Sequence, residues 1–292
     1  MNPFGRILVA MVTPFDEDGE VDLDGAQRLA AHLVDRGGCD GLVINGTTGE
    51  APTTTDAEKE SILRAVVEAV GDRASVLAGV GTNSTRHTIE LARTAERVGA
   101  DGLLVVTPYY SKPTQDGVLR HFRSTVDSTG LPALLYDIPG RTGTAIETST
   151  LLALAEHPRV VGVKDCKEDL LASARVIAET DLAYFSGNDE LTLPMYAIGA
   201  VGVISTIGHV VGNEIRAMLD AFDKGDNAEA IRLHQSLLPV ITAMMTREPG
   251  VVATKAALRL LHLPSGPVRE PLVEASQALL EELLAVISPW FA

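Results

Sequence analysis

Cysteine is nearly missing from this sequence: Cys39 and Cys166 are the two present in 292 residues. They are too few for a disulfide framework and too widely spaced for a CxxC-type metal pair. A reducing compartment, the cytoplasm, is the expected setting. No apolar stretch is long enough to span a bilayer. The first residues, Met1 to Arg6, do not lead a basic region into an apolar core of signal-peptide length, so no secretory leader is expected. Positive charge is in deficit, with 24 Lys+Arg against 39 Asp+Glu and a formal net charge of −15. That balance disfavours a nucleic-acid backbone or an anionic membrane surface as partner. It also means that a small anionic substrate approaches against the net field, so its site must carry its own positive groups.

Other signatures are absent too. His32, His87, His121, His157, His209, His234 and His262 are dispersed, with no HExxH spacing, and read as packing, capping or surface residues. The turn Gly46-Thr47-Thr48-Gly49-Glu50 has neither dinucleotide glycine spacing nor a Walker lysine. Ser205 has no Ser/His/acid arrangement around it. No metal and no cofactor are expected.

What the chain does have is alternation. Eight short apolar runs, at 7–12, 41–45, 75–80, 102–107, 133–136, 160–164, 183–186 and 202–205, are separated by amphipathic stretches at 22–37, 54–70, 84–98, 115–128, 147–156, 169–180 and 189–198. Most runs are continuously apolar, as strands of a parallel sheet are when both faces are covered. Eight such units predict a (β/α)8 TIM barrel over 1–224. Later helices at 212–223, 227–246, 251–261 and 271–287 close the eighth unit and form a C-terminal helical extension over 225–292. The alternatives are an independent tail domain and a doubly wound sheet; the second lacks its nucleotide-binding turn.

A barrel works at the C-terminal ends of its strands. Lys164 closes Val160-Val161-Gly162-Val163, with Gly162 at the same strand parity leaving room beneath it. Desolvation there lowers an ammonium's pKa and exposes a nucleophilic amine; a rim salt bridge is the alternative. Tyr136 ends the fifth run, and Arg141 follows on a Pro/Gly-shaped loop where it can clamp a carboxylate or merely pair with solvent-facing acids. Thr47 and Thr48 offer hydroxyls and backbone N–H groups to an anion, or simply cap a helix. Tyr109 and Tyr110 add two phenols, or aromatic packing between subunits.

The ordered passages Val12-Thr13-Pro14-Phe15, Gly46-Thr47-Thr48-Gly49-Glu50, Thr107-Pro108-Tyr109-Tyr110, Tyr136-Asp137-Ile138-Pro139-Gly140-Arg141-Thr142-Gly143, Val161-Gly162-Val163-Lys164-Asp165 and Gly202-Val203-Ile204-Ser205 resemble the pyruvate-dependent class I aldolase superfamily over nearly the whole chain. The match is nearest to those members that join pyruvate to L-aspartate 4-semialdehyde in lysine and diaminopimelate synthesis. The resemblance implies that Lys164 forms a Schiff base with pyruvate and that Thr48, Tyr110 and Tyr136 relay protons, with Tyr110 reaching into a neighbouring subunit. It further implies that Thr47 and Thr48 bind the pyruvate carboxylate, Arg141 binds the semialdehyde carboxylate, and Ile204 brings a backbone carbonyl near Lys164. A homotetramer, built as a dimer of dimers, is the implied assembly. Asp137 stands where such proteins often have Asn, and Asn188 where they often have an acid. A superfamily member acting on a sugar acid is the nearest rival, which Arg141 disfavours because a sugar chain calls for hydroxyl-binding groups; a non-catalytic barrel scaffold is the rival of another class.

Overall fold

The eight apolar runs become eight parallel strands that pair in sequence order and close into a barrel, the first against the last. The computed structural model describes residues 4–290. Residues 1–3, part of the N-terminal stretch read for a leader, and 291–292, the end of the expected extension, lie outside the described residues. The strands are β1 (Ile7–Ala10), β2 (Gly41–Ile44), β3 (Ser75–Gly79), β4 (Gly102–Val106), β5 (Ala133–Asp137), β6 (Val160–Asp165), β7 (Ala183–Ser186) and β8 (Gly202–Ser205). Continuous apolarity has a direct cause here. Alternate residues such as Leu8, Val43, Leu77, Leu104, Leu134, Phe185 and Ile204 fill the barrel interior, while Ile7, Val9, Leu42, Val76, Leu103, Val105 and Val163 pack outward against helices. Both faces are removed from water, at roughly 1.5–3 kcal/mol per large apolar side chain.

The surrounding helices are α1 (Leu23–Asp35), α2 (Asp56–Val70), α3 (Thr85–Val98), α4 (Gln115–Val126), α5 (Pro139–Thr142), α6 (Thr148–Ala155), α7 (Leu170–Glu179), α8 (Thr192–Ala197) and α9 (Gly208–Asp223). Side-chain caps fix several starts: Asp22, Ser84, Thr114 and Asp169 each accept a backbone N–H from three residues ahead. Thr55 and Glu58 form a reciprocal capping box at α2. The remaining helices are α10 (Asn227–Met245), which packs on α9, then α11 (Gly250–Leu260) and α12 (Gln277–Ile287).

Three expected helices differ. The one at 189–198 is broken into a 3-10 turn over Asp189–Leu191 followed by α8, because the Asp189 side chain is turned into the barrel mouth. The one at 271–287 begins only at Gln277, where the Ser276 hydroxyl accepts the Leu279 N–H. The one at 212–223 starts earlier, at Gly208, and bends at Val211, whose φ and ψ of −127° and 36° are not helical. The short α5, within the passage that carries Arg141, has no counterpart among the expected helices.

Candidate active site

Strand register assembles the centre of the site. Tyr136 on β5 stands beside Lys164 on β6, and Lys164 beside Phe185 on β7. Lys164 points into the barrel mouth, is 5% exposed, and holds its ammonium 4.5 Å from the centre of the Tyr136 ring. Gly162 lies directly below. A Cβ at Gly162 would come within 2.2 Å of the Ala183 carbonyl oxygen and 2.9 Å of Leu134 Cδ2. The glycine thus admits Leu134 as a floor under the amine. Gly187 clears its side, since a Cβ there would lie 3.0 Å from Lys164 Cγ and Cε.

The electrostatics of this amine are opposed. Burial lowers its pKa from that of an ordinary lysine, the neighbouring Cys166 and Asp189 work to raise it, and Arg141 adds to the lowering. Burial likewise pushes the Tyr136 phenol well up, with Cys166 adding to the shift and Thr47 and Arg141 opposing it. The Cys166 thiol is raised to about 11, chiefly by burial, so it stands as a neutral partner of the phenol.

Thr47 is exposed at the mouth, and Thr48, assigned above to the proton relay, stands half-buried next to it. Both threonines sit on a tight turn entered through Asn45 at φ 61° and left through Glu50 at φ 56°. Within it Gly49 N–H donates to the Gly46 carbonyl and Glu50 N–H to the Thr47 carbonyl, both at 3.1 Å. The Thr13 hydroxyl ties the turn to the end of β1 by donating to the Gly49 carbonyl at 2.6 Å.

Arg141 sits exposed on α5, and its charge reaches both the phenol and the amine. Ile204 is fully buried among the interior side chains that include Tyr136. Tyr110 is not drawn in. It is 89% exposed at a left-handed φ of 71°, so a single chain leaves its phenol in water and away from the buried lysine.

Two features escaped the reading of the sequence. Asp189, buried in the mouth, accepts the Ser205 hydroxyl at 2.5 Å through Oδ1, and the Thr206 and Ile207 N–H groups at 3.0 and 3.1 Å through Oδ2. Burial raises its pKa while those bonds, and then the Lys164 charge, oppose the rise. Ser205 is thus an anchor for an acid, not a nucleophile. The only cue was an acid just past a strand end, hidden beside the more conspicuous Asn188. The second feature is a buried pair: Lys167 Nζ donates to Asp137 Oδ2 at 3.1 Å, while Asp137 Oδ1 accepts the Ile146 N–H at 3.1 Å. It ties together both ends of the loop that carries Arg141.

An inward, desolvated lysine against a tyrosine ring at the C-terminal mouth of a closed (β/α)8 barrel defines a class, the Schiff-base-forming lyases. The profile of the Dihydrodipicolinate synthetase family matches residues 3–289. The chain belongs to that family. It is 65% identical to the 4-hydroxy-tetrahydrodipicolinate synthase of Acidothermus cellulolyticus, over 94% of this chain and 88% of that one. It is 61% identical to 4-hydroxy-tetrahydrodipicolinate synthase 2 of Streptomyces coelicolor, over 96% and 93%. Among solved structures, a dihydrodipicolinate synthase from Bacillus anthracis superposes with a TM-score of 0.95 at 40% identity, covering 98% of both chains. The enzyme from Cyanidioschyzon merolae, solved with lysine bound, gives the same TM-score, identity and coverage.

Proposed function

We propose that this enzyme condenses pyruvate with L-aspartate 4-semialdehyde through an imine on Lys164, giving 4-hydroxy-tetrahydrodipicolinate for lysine and diaminopimelate synthesis. The observation that carries the reading is the buried Lys164 amine 4.5 Å over the Tyr136 ring. Neutral Lys164 attacks the keto carbon of pyruvate, and a proton delivered through Tyr136 lets the carbinolamine oxygen leave as water, giving a protonated imine. That cation draws electrons from the adjacent methyl group, which gives up a proton and becomes an enamine. The enamine carbon attacks the aldehyde, and the new alkoxide takes a proton to become the hydroxyl. The amino group of the former semialdehyde then adds to the imine carbon, closing the ring and displacing the lysine.

Tyr136 is the proposed proton carrier for imine formation, and Thr48, on the turn beside it, supplies the next link. Thr48 and Thr47 together receive the pyruvate carboxylate, and Ile204 places its carbonyl by the amine. Arg141 receives the second carboxylate, overcoming the acidic field of the whole molecule locally. Exposed Tyr110 finds its place in a neighbouring subunit's relay, in a homotetramer. Among the described residues no helix is long and apolar enough to cross a membrane, and the two free thiols suit a cytoplasmic setting.

The test is reductive trapping. Incubation with pyruvate and borohydride is expected to place a covalent adduct on Lys164, mapped by mass spectrometry, and the untreated enzyme is expected to turn over L-aspartate 4-semialdehyde. No adduct rejects the mechanism; an adduct with selective consumption of a sugar-derived aldehyde rejects the substrate.

A further inference from the structure

The turn that carries Thr47 and Thr48 is held from outside the barrel. Glu50, its last residue, is buried with its carboxylate facing the C-terminal segment. Lys255 on α11 brings its ammonium 2.6 Å from Glu50 Oε1, and both side chains are almost wholly buried, at 0% and 2% exposed. The Arg269 backbone N–H donates to Glu50 Oε2 at 2.9 Å. The same ammonium donates to the Pro267 carbonyl at 2.6 Å and lies 4.0 Å from the centre of the Phe15 ring. The Arg269 guanidinium stacks on Phe15 at 4.2 Å. It also donates to the Thr53 carbonyl at 2.9 Å, the Gly19 carbonyl at 2.9 Å and Glu58 Oε1 at 2.5 Å. The segment 255–269 therefore grips the loop after β1, the turn after β2 and the start of α2.

None of these groups is among the proposed substrate contacts, yet the grip falls on a strained backbone. Glu50 is not glycine and adopts the left-handed region, at φ 56° and ψ 37°. Such a residue persists only where its surroundings over-determine it. A buried carboxylate without its cation would be driven out of this position, since an unpaired charge in a dry site is strongly unfavourable. Releasing Glu50 frees the turn to relax, and the Thr47 and Thr48 hydroxyls and N–H groups move with it. Among the described residues no hydrogen bond or ion pair links Lys255 to Arg141, which lies on a loop after β5 that is tied by Asp137 and Lys167.

We infer that the Glu50–Lys255 pair makes the C-terminal helical extension a positioning part of the keto-acid site, holding the Thr47-Thr48 turn in the geometry that receives the pyruvate carboxylate. The inference rests on the proposed function and adds a role for α11 and the loop after it. Its test separates the two substrates. In the full-length Glu50→Gln and Lys255→Met variants, the pyruvate concentration giving half-maximal borohydride-trapped adduct on Lys164 is expected to rise at least fivefold. The KM for the aldehyde is expected to stay within twofold of the wild-type value. Loss of stability alone lowers the active fraction and moves neither concentration. Thermal melting checks folding, and where a single variant fails to fold the readout is taken on Glu50→Gln combined with Lys255→Met, which leaves no buried charge unpaired. A folded variant, single or double, whose half-saturating pyruvate stays within twofold of wild type overturns the inference, as does an equal rise for both substrates. Absence of any adduct in the wild-type protein is a different failure: it removes the functional reading, and the inference falls with it.

Discussion

Lys164 is a nucleophile only when neutral, so the fields acting on it decide how much of it can react at a given pH. Burial pulls its pKa down and the Asp189 carboxylate pulls the other way. Replacing Asp189 by Asn removes the opposing charge. The pH at which adduct formation with pyruvate reaches half its maximum is therefore expected to shift to lower pH in Asp189→Asn, as read by borohydride trapping across a pH series. An unmoved or upward-shifted profile contradicts the assigned influence of Asp189. Lys164 itself was legible from sequence because strand parity and Gly162 already set it facing inward. Asp189 was not, because its influence depends on the ends of β7 and β8 meeting through Ser205. Nor was the shape of the Thr47-Thr48 turn legible, since it depends on two non-glycine residues, Asn45 and Glu50, in the left-handed region.

Elements carry the next level of control. The loop bearing Arg141 is fastened by Asp137, whose carboxyl burial raises from 3.8 to about 6, with Lys167 and the Ile146 N–H opposing. The folded state therefore binds this proton more tightly than the unfolded chain does. The protonated carboxyl favours folding below pH ~4, and that contribution is lost as pH rises to ~6, amounting to roughly 3 kcal/mol at 1.36 kcal/mol per pKa unit. An Asp137→Asn variant lacks this titration. Its stability relative to wild type is expected to improve between pH 4 and pH 7 by an amount of that order, measured by urea unfolding at the two values; a constant difference would falsify the assignment. Most helix starts were legible because polar caps announce them, as Thr55 and Ser84 do. The stretch 271–276 misled because its apolar residues suit a helix, while the Glu274 carboxylate is engaged instead by Arg259 and the Val268 N–H.

Across the whole molecule, closure in sequence order was legible from eight apolar runs, because a parallel barrel has no strand exposed on either face. Assembly is less so. Tyr110 lies outside its own chain's site, and its proposed role needs a neighbour. A Lys164→Ala subunit still offers an intact Tyr110, and a Tyr110→Phe subunit still offers an intact Lys164. Mixed oligomers of the two, made by co-expression, are expected to show activity well above the sum of the separate variants. Mixed oligomers of confirmed composition that show no gain exclude a relay crossing between subunits.

Order of synthesis gives the grip on Phe15 a further meaning. Every side chain proposed to do chemistry has been made once β8 is complete, so a growing chain could close its barrel while still on the ribosome. Lys255 and Arg269 emerge later, and on the inference drawn from them the turn that receives the keto acid is not set until they arrive. Competence to capture pyruvate thus follows the synthesis of Arg269 rather than the finishing of the barrel.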